Sequence, residues 1–269
     1  MDIKSTETNV IKNLETKKVL SLNISTGSYD SFLDAASNLS KQQKSSYVCL
    51  VNVHSVIEAV NNPDFKNIIN NADIAAPDGM PVAKSIKLLY GIKQKRVAGM
   101  DLFPDLLKKA SDRGLSVFFY GSTDTVLKKI IERTKKELPA LKISGFFSPP
   151  FRDLSENEKN EAADMINNAQ SDIIFVSLGC PKQEIWMADM KKKLKKGVMV
   201  GVGAAFPVYA GTAKRAYKWM QDLSLEWLFR LFQEPKRLLW RYLYTNTYFL
   251  FLISKEIISV KILKKQTGL

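Results

Sequence analysis

Four stretches of the chain place polar side chains straight after apolar runs: Asn52-Val53-His54-Ser55, Pro77-Asp78-Gly79-Met80, Gly121-Ser122-Thr123-Asp124 and Gly179-Cys180-Pro181-Lys182-Gln183-Glu184. Asp78, between a proline and a glycine, would sit at a tight turn, where a carboxylate can act as a general base on a substrate hydroxyl. Aspartate before glycine is also ordinary turn or helix-cap chemistry, so the residue alone leaves both readings open. Gly121-Ser122-Thr123 can present backbone N–H groups at a helix start, a natural phosphate seat, although most turns from strand to helix need a glycine anyway. Pro181 suits the first turn of a helix. That leaves Lys182 and Gln183 near the helix's positive end, with Gln183 either a ligand to a nucleotide or sugar or an exposed polar residue.

Other chemistries fit less well. Gly201-Val202-Gly203 lacks the third spaced glycine of a dinucleotide fingerprint, which discounts a nicotinamide site. His54 is the only histidine, and no nucleophile elbow accompanies it, so it reads as a structural or substrate-side group. A single histidine and no Asp-x-Asp pair argue against a dedicated divalent-metal site, and no cofactor is expected.

The elements that must hold these residues are strands alternating with helices. Residues 47–52, 73–76, 115–120, 172–178 and 197–202 read as strands, several apolar throughout, as strands buried on both faces should be. Between them lie stretches of helical spacing. In residues 30–41, Phe32, Leu33, Ala36 and Leu39 share a face, with Ser28 or Asp30 available as a cap. The fold class is therefore α/β, a mostly parallel sheet flanked by helices. In such a sheet ligands gather at the carboxyl ends of the strands, so the four polar stretches outline one rim.

After Met220 the composition changes. Aromatic residues from Trp227 to Phe251 crowd among Arg230, Lys236, Arg237, Arg241 and Lys255, which separates an α/β unit, residues 1–220, from a mainly helical appendage, residues 221–269. Proline removes a helix hydrogen bond, so the appendage should break or bend near Glu234-Pro235. Arg230, Arg237 and Arg241 would form one stripe on a continuous helix, and arginine holds phosphate in bidentate fashion. The longest apolar run there, Tyr248 to Ile253, is far short of the roughly 18–20 residues that cross a bilayer. The basic, aromatic segment reads as a membrane-surface element or as an ordinary docking helix.

The net charge of +13 favours anionic partners without choosing among nucleic acid, lipid surface and phosphorylated substrates. The densest basic run, Lys191 to Lys196, falls at a helix end, where it complements the helix dipole and faces water. Two cysteines, Cys49 and Cys180, provide neither a disulfide framework nor a zinc site. Residues 1–18 lack the basic start and apolar run of a secretory signal, which points to the cytoplasm.

Five spellings are more specific: Pro77-Asp78-Gly79, Arg96-Val97-Ala98-Gly99-Met100-Asp101, Leu178 to Glu184, Leu225-Glu226-Trp227-Leu228-Phe229-Arg230 and Glu234-Pro235-Lys236-Arg237. In this order the chain resembles the WecG/TagA/CpsF glycosyltransferases, family 26, over about residues 20–250. The resemblance implies a Rossmann-like α/β core and inverting, metal-independent transfer of a sugar from a UDP-sugar donor to an undecaprenyl-diphosphate-linked sugar, in cell-surface polysaccharide or teichoic acid synthesis. The transferred sugar is expected to be N-acetylmannosamine, otherwise another hexose or a uronic acid. It also implies that Asp78 is the catalytic base, that Asn52, Arg96 and Gln183 are active-site polar residues, and that Arg230, Arg237 and Arg241 meet the acceptor diphosphate.

Gly121 and Lys182 complete the expected donor site. Leu50, Pro207 and Tyr217 depart from the family pattern, the first two at the border of the donor pocket. The partners implied are the donor, the lipid-linked acceptor and an anionic membrane at the inner face of the cell membrane, with a homo-oligomer also compatible and no nucleic acid. A nucleic-acid-binding protein or a non-catalytic membrane-surface scaffold would share the charge and the aromatics. Neither accounts for Asp78, Arg96 and Gln183 at the matching motif positions.

Overall fold

In the computed structural model, residues 14–223 and 225–267 are described; residues 1–13, most of the polar N-terminal stretch, and Gly268-Leu269 lie outside them. The chain opens with an antiparallel hairpin of β1 (Glu15–Val19) and β2 (Leu22–Thr26), followed by α1 (Tyr29–Leu39) and β3 (Ser45–Val51). Next come α2 (Val53–Asn61), α3 (Pro63–Asn70), β4 (Ile74–Pro77), α4 (Met80–Tyr90), α5 (Gly99–Asp112), β5 (Ser116–Gly121) and α6 (Asp124–Glu137). Then follow β6 (Lys142–Phe147), α7 (Glu156–Ala169), β7 (Ile173–Ser177), α8 (Lys182–Lys191), β8 (Gly197–Gly201) and α9 (Ala205–Tyr209). The chain continues with α10 (Lys218–Asp222), α11 (Glu226–Gln233) and α12 (Pro235–Thr267).

Six strands form one parallel sheet in the order β4-β3-β8-β7-β5-β6. Its central strands are apolar on both sides because both sides are covered. Tyr47, Cys49 and Val51 face a core that includes residues of α2, α3, α4 and α8; Val48 and Leu50 face another built with α1, α5, α6 and α9. Phe103 of α5 anchors the second core, its ring 4.8 Å from Phe175, 5.1 Å from Phe206 and 5.2 Å from Tyr209.

The five strands read from the sequence correspond to β3, β4, β5, β7 and β8, and α1 buries the expected face with Ser28 as its cap. The hairpin and β6 are additions. β6 is an edge strand with no fully buried residue, so it carries no continuous apolar run to betray it.

Beyond Met220 the described residues are mostly helical, and the break at Pro235 is where proline places it. α12 lies against α2 and α4, burying Leu238, Thr245, Phe249 and Ile253. It is also tied to the hairpin, the Leu20 amide donating to Glu256 Oε2 at 3.0 Å. Its outer side exposes Trp240, Leu243, Leu250, Phe251 and Ile258. The lysine run at the end of α8 is divided: Lys192 and Lys195 are exposed, whereas Lys191 pairs with Asp73 at 2.8 Å, Lys193 with Glu156 at 3.3 Å and Lys196 with Asp172 at 3.2 Å.

Candidate active site

The carboxyl ends of β4 and β3 bring Asp78 and Asn52 together. The Asp78 amide donates to the Val51 carbonyl at 2.9 Å, extending the ladder of β3 and β4 by one residue. The chain then turns at Gly79, whose φ of 95° suits glycine. Gly79 is the N-cap of α4, and no side chain caps that helix, so the Asp78 carboxylate is not spent on the helix start. Asn52 does cap a helix: its Oδ1 accepts from the Ser55 amide at 3.2 Å. Its side chain also hydrogen-bonds the Asp78 carboxylate, through the amide nitrogen that the cap leaves over.

Arg96 reaches the same place because the segment after α4 runs beside β4, the Val97 amide donating to the Pro77 carbonyl at 2.8 Å. Its guanidinium Nη1 donates to Glu226 Oε2 at 2.8 Å. Burial pushes the Asp78 carboxyl up to about 6, and the like charge of Glu226 adds to this against the opposing pull of Arg96, Arg230 and the Asn52 hydrogen bond. The result is a carboxylate that is mostly ionised at neutral pH yet far more basic than an exposed aspartate. That is the range in which a general base works best.

The rim beyond β3 is stitched together by backbone and small side chains. Gly121 has a φ of 103°, and a Cβ there would overlap the Ser177 carbonyl, so this glycine serves the close approach of β5 and β7. Thr123 caps α6 through the Val126 amide at 3.4 Å, and Asp124 already supplies a negative charge in the first turn. Pro181 follows a cis peptide and stands just before α8 rather than in its first turn. Lys182 is exposed and pairs with Asp153 at 2.9 Å.

Gln183 is buried, against the reading of an exposed helix-start residue. Its Oε1 accepts from the Gly203 amide at 3.0 Å and its Nε2 donates to Glu184 Oε1 at 3.3 Å, which ties α8 to the end of β8. Glu184 is itself buried, and burial raises its carboxyl to about 7. His54 is held neutral, burial and the nearby Arg241 pushing it down to about 4.

The arginine stripe read from the sequence is divided, because α11 ends at Gln233 and α12 begins at Pro235. Arg230, on α11, lies within electrostatic reach of Asp78, and Arg241, on α12, within reach of His54. Arg237 is exposed and pairs with Glu234 at 2.7 Å. Two further ionic residues complete the surroundings: Arg215 lies 2.7 Å from Asp101 and 3.5 Å from Glu226. Glu226 and Asp101 stand inside the motifs singled out from the sequence, but Arg215 lies in none of them and only the fold brings it near.

A model of the Glycosyl transferase WecG/TagA/CpsF family matches residues 17–262. The chain belongs to the WecG/TagA/CpsF family. Like the rest of that family it is a glycosyltransferase. It is 36% identical over 200 residues to the N-acetylglucosaminyldiphosphoundecaprenol N-acetyl-beta-D-mannosaminyltransferase of Bacillus spizizenii, covering 74% of this chain and 75% of that one. It is 29% identical over 225 residues to the protein of the same name in Bacillus subtilis, covering 83% of this chain and 86% of that one. In this WecG/TagA/CpsF chain, Asp78, Asn52 and Arg96 gather at the ends of β4 and β3 within electrostatic reach of Arg230, whereas Gly121 ends β5, and Lys182 and Gln183 open α8 beyond β7, Gln183 bonding the end of β8.

Proposed function

We propose that the enzyme transfers N-acetylmannosamine from a UDP-linked donor to N-acetylglucosamine carried on undecaprenyl diphosphate, with inversion and without a metal ion. The sugar and the acceptor are those in the names of the two Bacillus relatives. The observation that carries the mechanism is the setting of Asp78: recessed, not committed to a helix cap, and between a hydrogen-bond donor and two arginines. Its carboxylate takes the proton of the acceptor hydroxyl as that oxygen bonds to the donor's anomeric carbon. The bond from that carbon to the diphosphate breaks, and the electron pair leaves with UDP. Arg96 spends only Nη1 on Glu226 among the described hydrogen bonds, so its other donors are free to hold a diphosphate. We assign Lys182 and the helix-start amides near Gly121 a share in that role, and Arg230 and Arg241 the acceptor's diphosphate; Arg237, paired with Glu234 in solvent, adds little to it.

The reaction belongs at the inner surface of the cell membrane. No helix among the described residues is long and apolar enough to cross a bilayer. The exposed aromatic side of α11 and α12 supports a peripheral contact. Incubation with a panel of UDP-sugars and a short-chain lipid-diphosphate N-acetylglucosamine, with products identified by mass spectrometry, tests the assignment. One added N-acetylhexosamine from UDP-N-acetylmannosamine is the expected product. Transfer of a different sugar only would replace the donor, and no transfer from any donor would remove the reading.

A further inference from the structure

Glu226 stands in the first turn of α11, four residues before Arg230, yet its carboxylate points into the catalytic rim. Oε2 accepts from Arg96 Nη1 at 2.8 Å, and Oε1 lies 3.5 Å from Arg215 Nε, whose own Nη2 is 2.7 Å from Asp101. The Arg96 and Glu226 side chains are only 19% and 14% exposed, so the pair is largely withdrawn from water. A carboxylate so buried is costly unless cations answer it, and here two do. The four groups come from four separate segments: Arg96 after α4, Asp101 on α5, Arg215 between α9 and α10, and Glu226 on α11.

We propose that Glu226 is a positioning residue for the transfer reaction, a strut that fixes Arg96 beside Asp78 and seats α11, with Arg230, against the catalytic strand end. The proposal rests on the reading of Asp78 as the base. The charged groups facing Asp78 are Glu226, Arg96 and Arg230, with Asn52 hydrogen-bonded to it. Loss of the Glu226 charge removes a like charge from beside Asp78, which favours the ionised Asp78, while the activity lost is that of an Arg96 no longer held in place. Arg215→Gln does the opposite, because it strips a cation from Glu226 and leaves that carboxylate less compensated.

The test is the pH dependence of kcat/KM for Glu226→Gln, Glu226→Asp, Arg215→Gln and Asp78→Asn. Glu226→Gln is expected to lose about tenfold in kcat/KM at neutral pH and to move the acid limb down by about half a pH unit or more. Glu226→Asp, which keeps the charge, should hold the limb near its original place, and Arg215→Gln should move it up. An unmoved limb in both Glu226→Gln and Arg215→Gln overturns the strut, as does a Glu226→Asp limb displaced as far as that of Glu226→Gln. If Asp78→Asn is inactive while those limbs stay put, the strut alone fails. If Asp78→Asn stays active, the base assignment itself fails.

Discussion

Asp78 is proposed as the base because of what surrounds it rather than what precedes and follows it. Pro77 and Gly79 made the turn legible, but the turn alone fitted a helix cap equally well. What separates the two readings is the uncapped start of α4 and the Asn52 hydrogen bond, and both depend on the neighbouring strand. Since the carboxyl is raised to about 6 and must be ionised to accept a proton, kcat/KM should rise with pH through about 6 and level off above it. A pH–rate profile with an acid limb near 4 would mean that Asp78 is unshifted or is not the base. Gln183 shows the limit of reading a residue from its place on a helix. Its position fitted a solvent-facing amide as well as a ligand, but β8 lies against α8 and makes it a buried tie between α8 and the end of β8. Gln183→Leu should therefore cost stability as well as activity, about 1–3 kcal/mol in chemical denaturation, because the Gly203 amide loses its partner.

At the scale of elements, the strands that were legible are those buried on both faces, and the ones that were not are β6 and the hairpin. β6 alternates lysine, serine and glycine with its apolar residues at the sheet edge, and β1 exposes most of its side chains. The strand order was not legible either. β8 enters between β3 and β7, a pairing set by long-range packing that no local pattern encodes. The junction of β5 with β7 gives a sharp test. Gly121→Ala would place a methyl group against the Ser177 carbonyl at a backbone angle that alanine avoids, and should destabilise the protein by about 2–3 kcal/mol. The division between α11 and α12 makes the arginines unequal. Arg230→Ala should reduce kcat/KM for the lipid-diphosphate acceptor about tenfold or more, whereas Arg237→Ala, whose side chain pairs with Glu234 in solvent, should change it by less than about threefold. Equal effects would mean that the two helices present their arginines to one ligand together.

For the whole molecule, the charge of +13 and the exposed aromatic side of α12 support the proposed contact with an anionic lipid surface. Binding to vesicles containing anionic lipid should weaken as salt rises, and Trp240→Ala with Phe251→Ala should weaken it further; equal binding to neutral vesicles would remove the electrostatic part. The sheet places Asp78 at one end of its strands, and α11 brings Arg230 and Glu226 to that same end, so on the proposed roles catalysis and acceptor capture share one rim. The most direct measurement of this account is single-turnover transfer of labelled N-acetylmannosamine to the short-chain acceptor by Asp78→Asn, alongside calorimetric binding of UDP. Loss of transfer by about a hundredfold or more, with UDP binding unchanged, is the expected result. Transfer within a few-fold of the unaltered enzyme would contradict it.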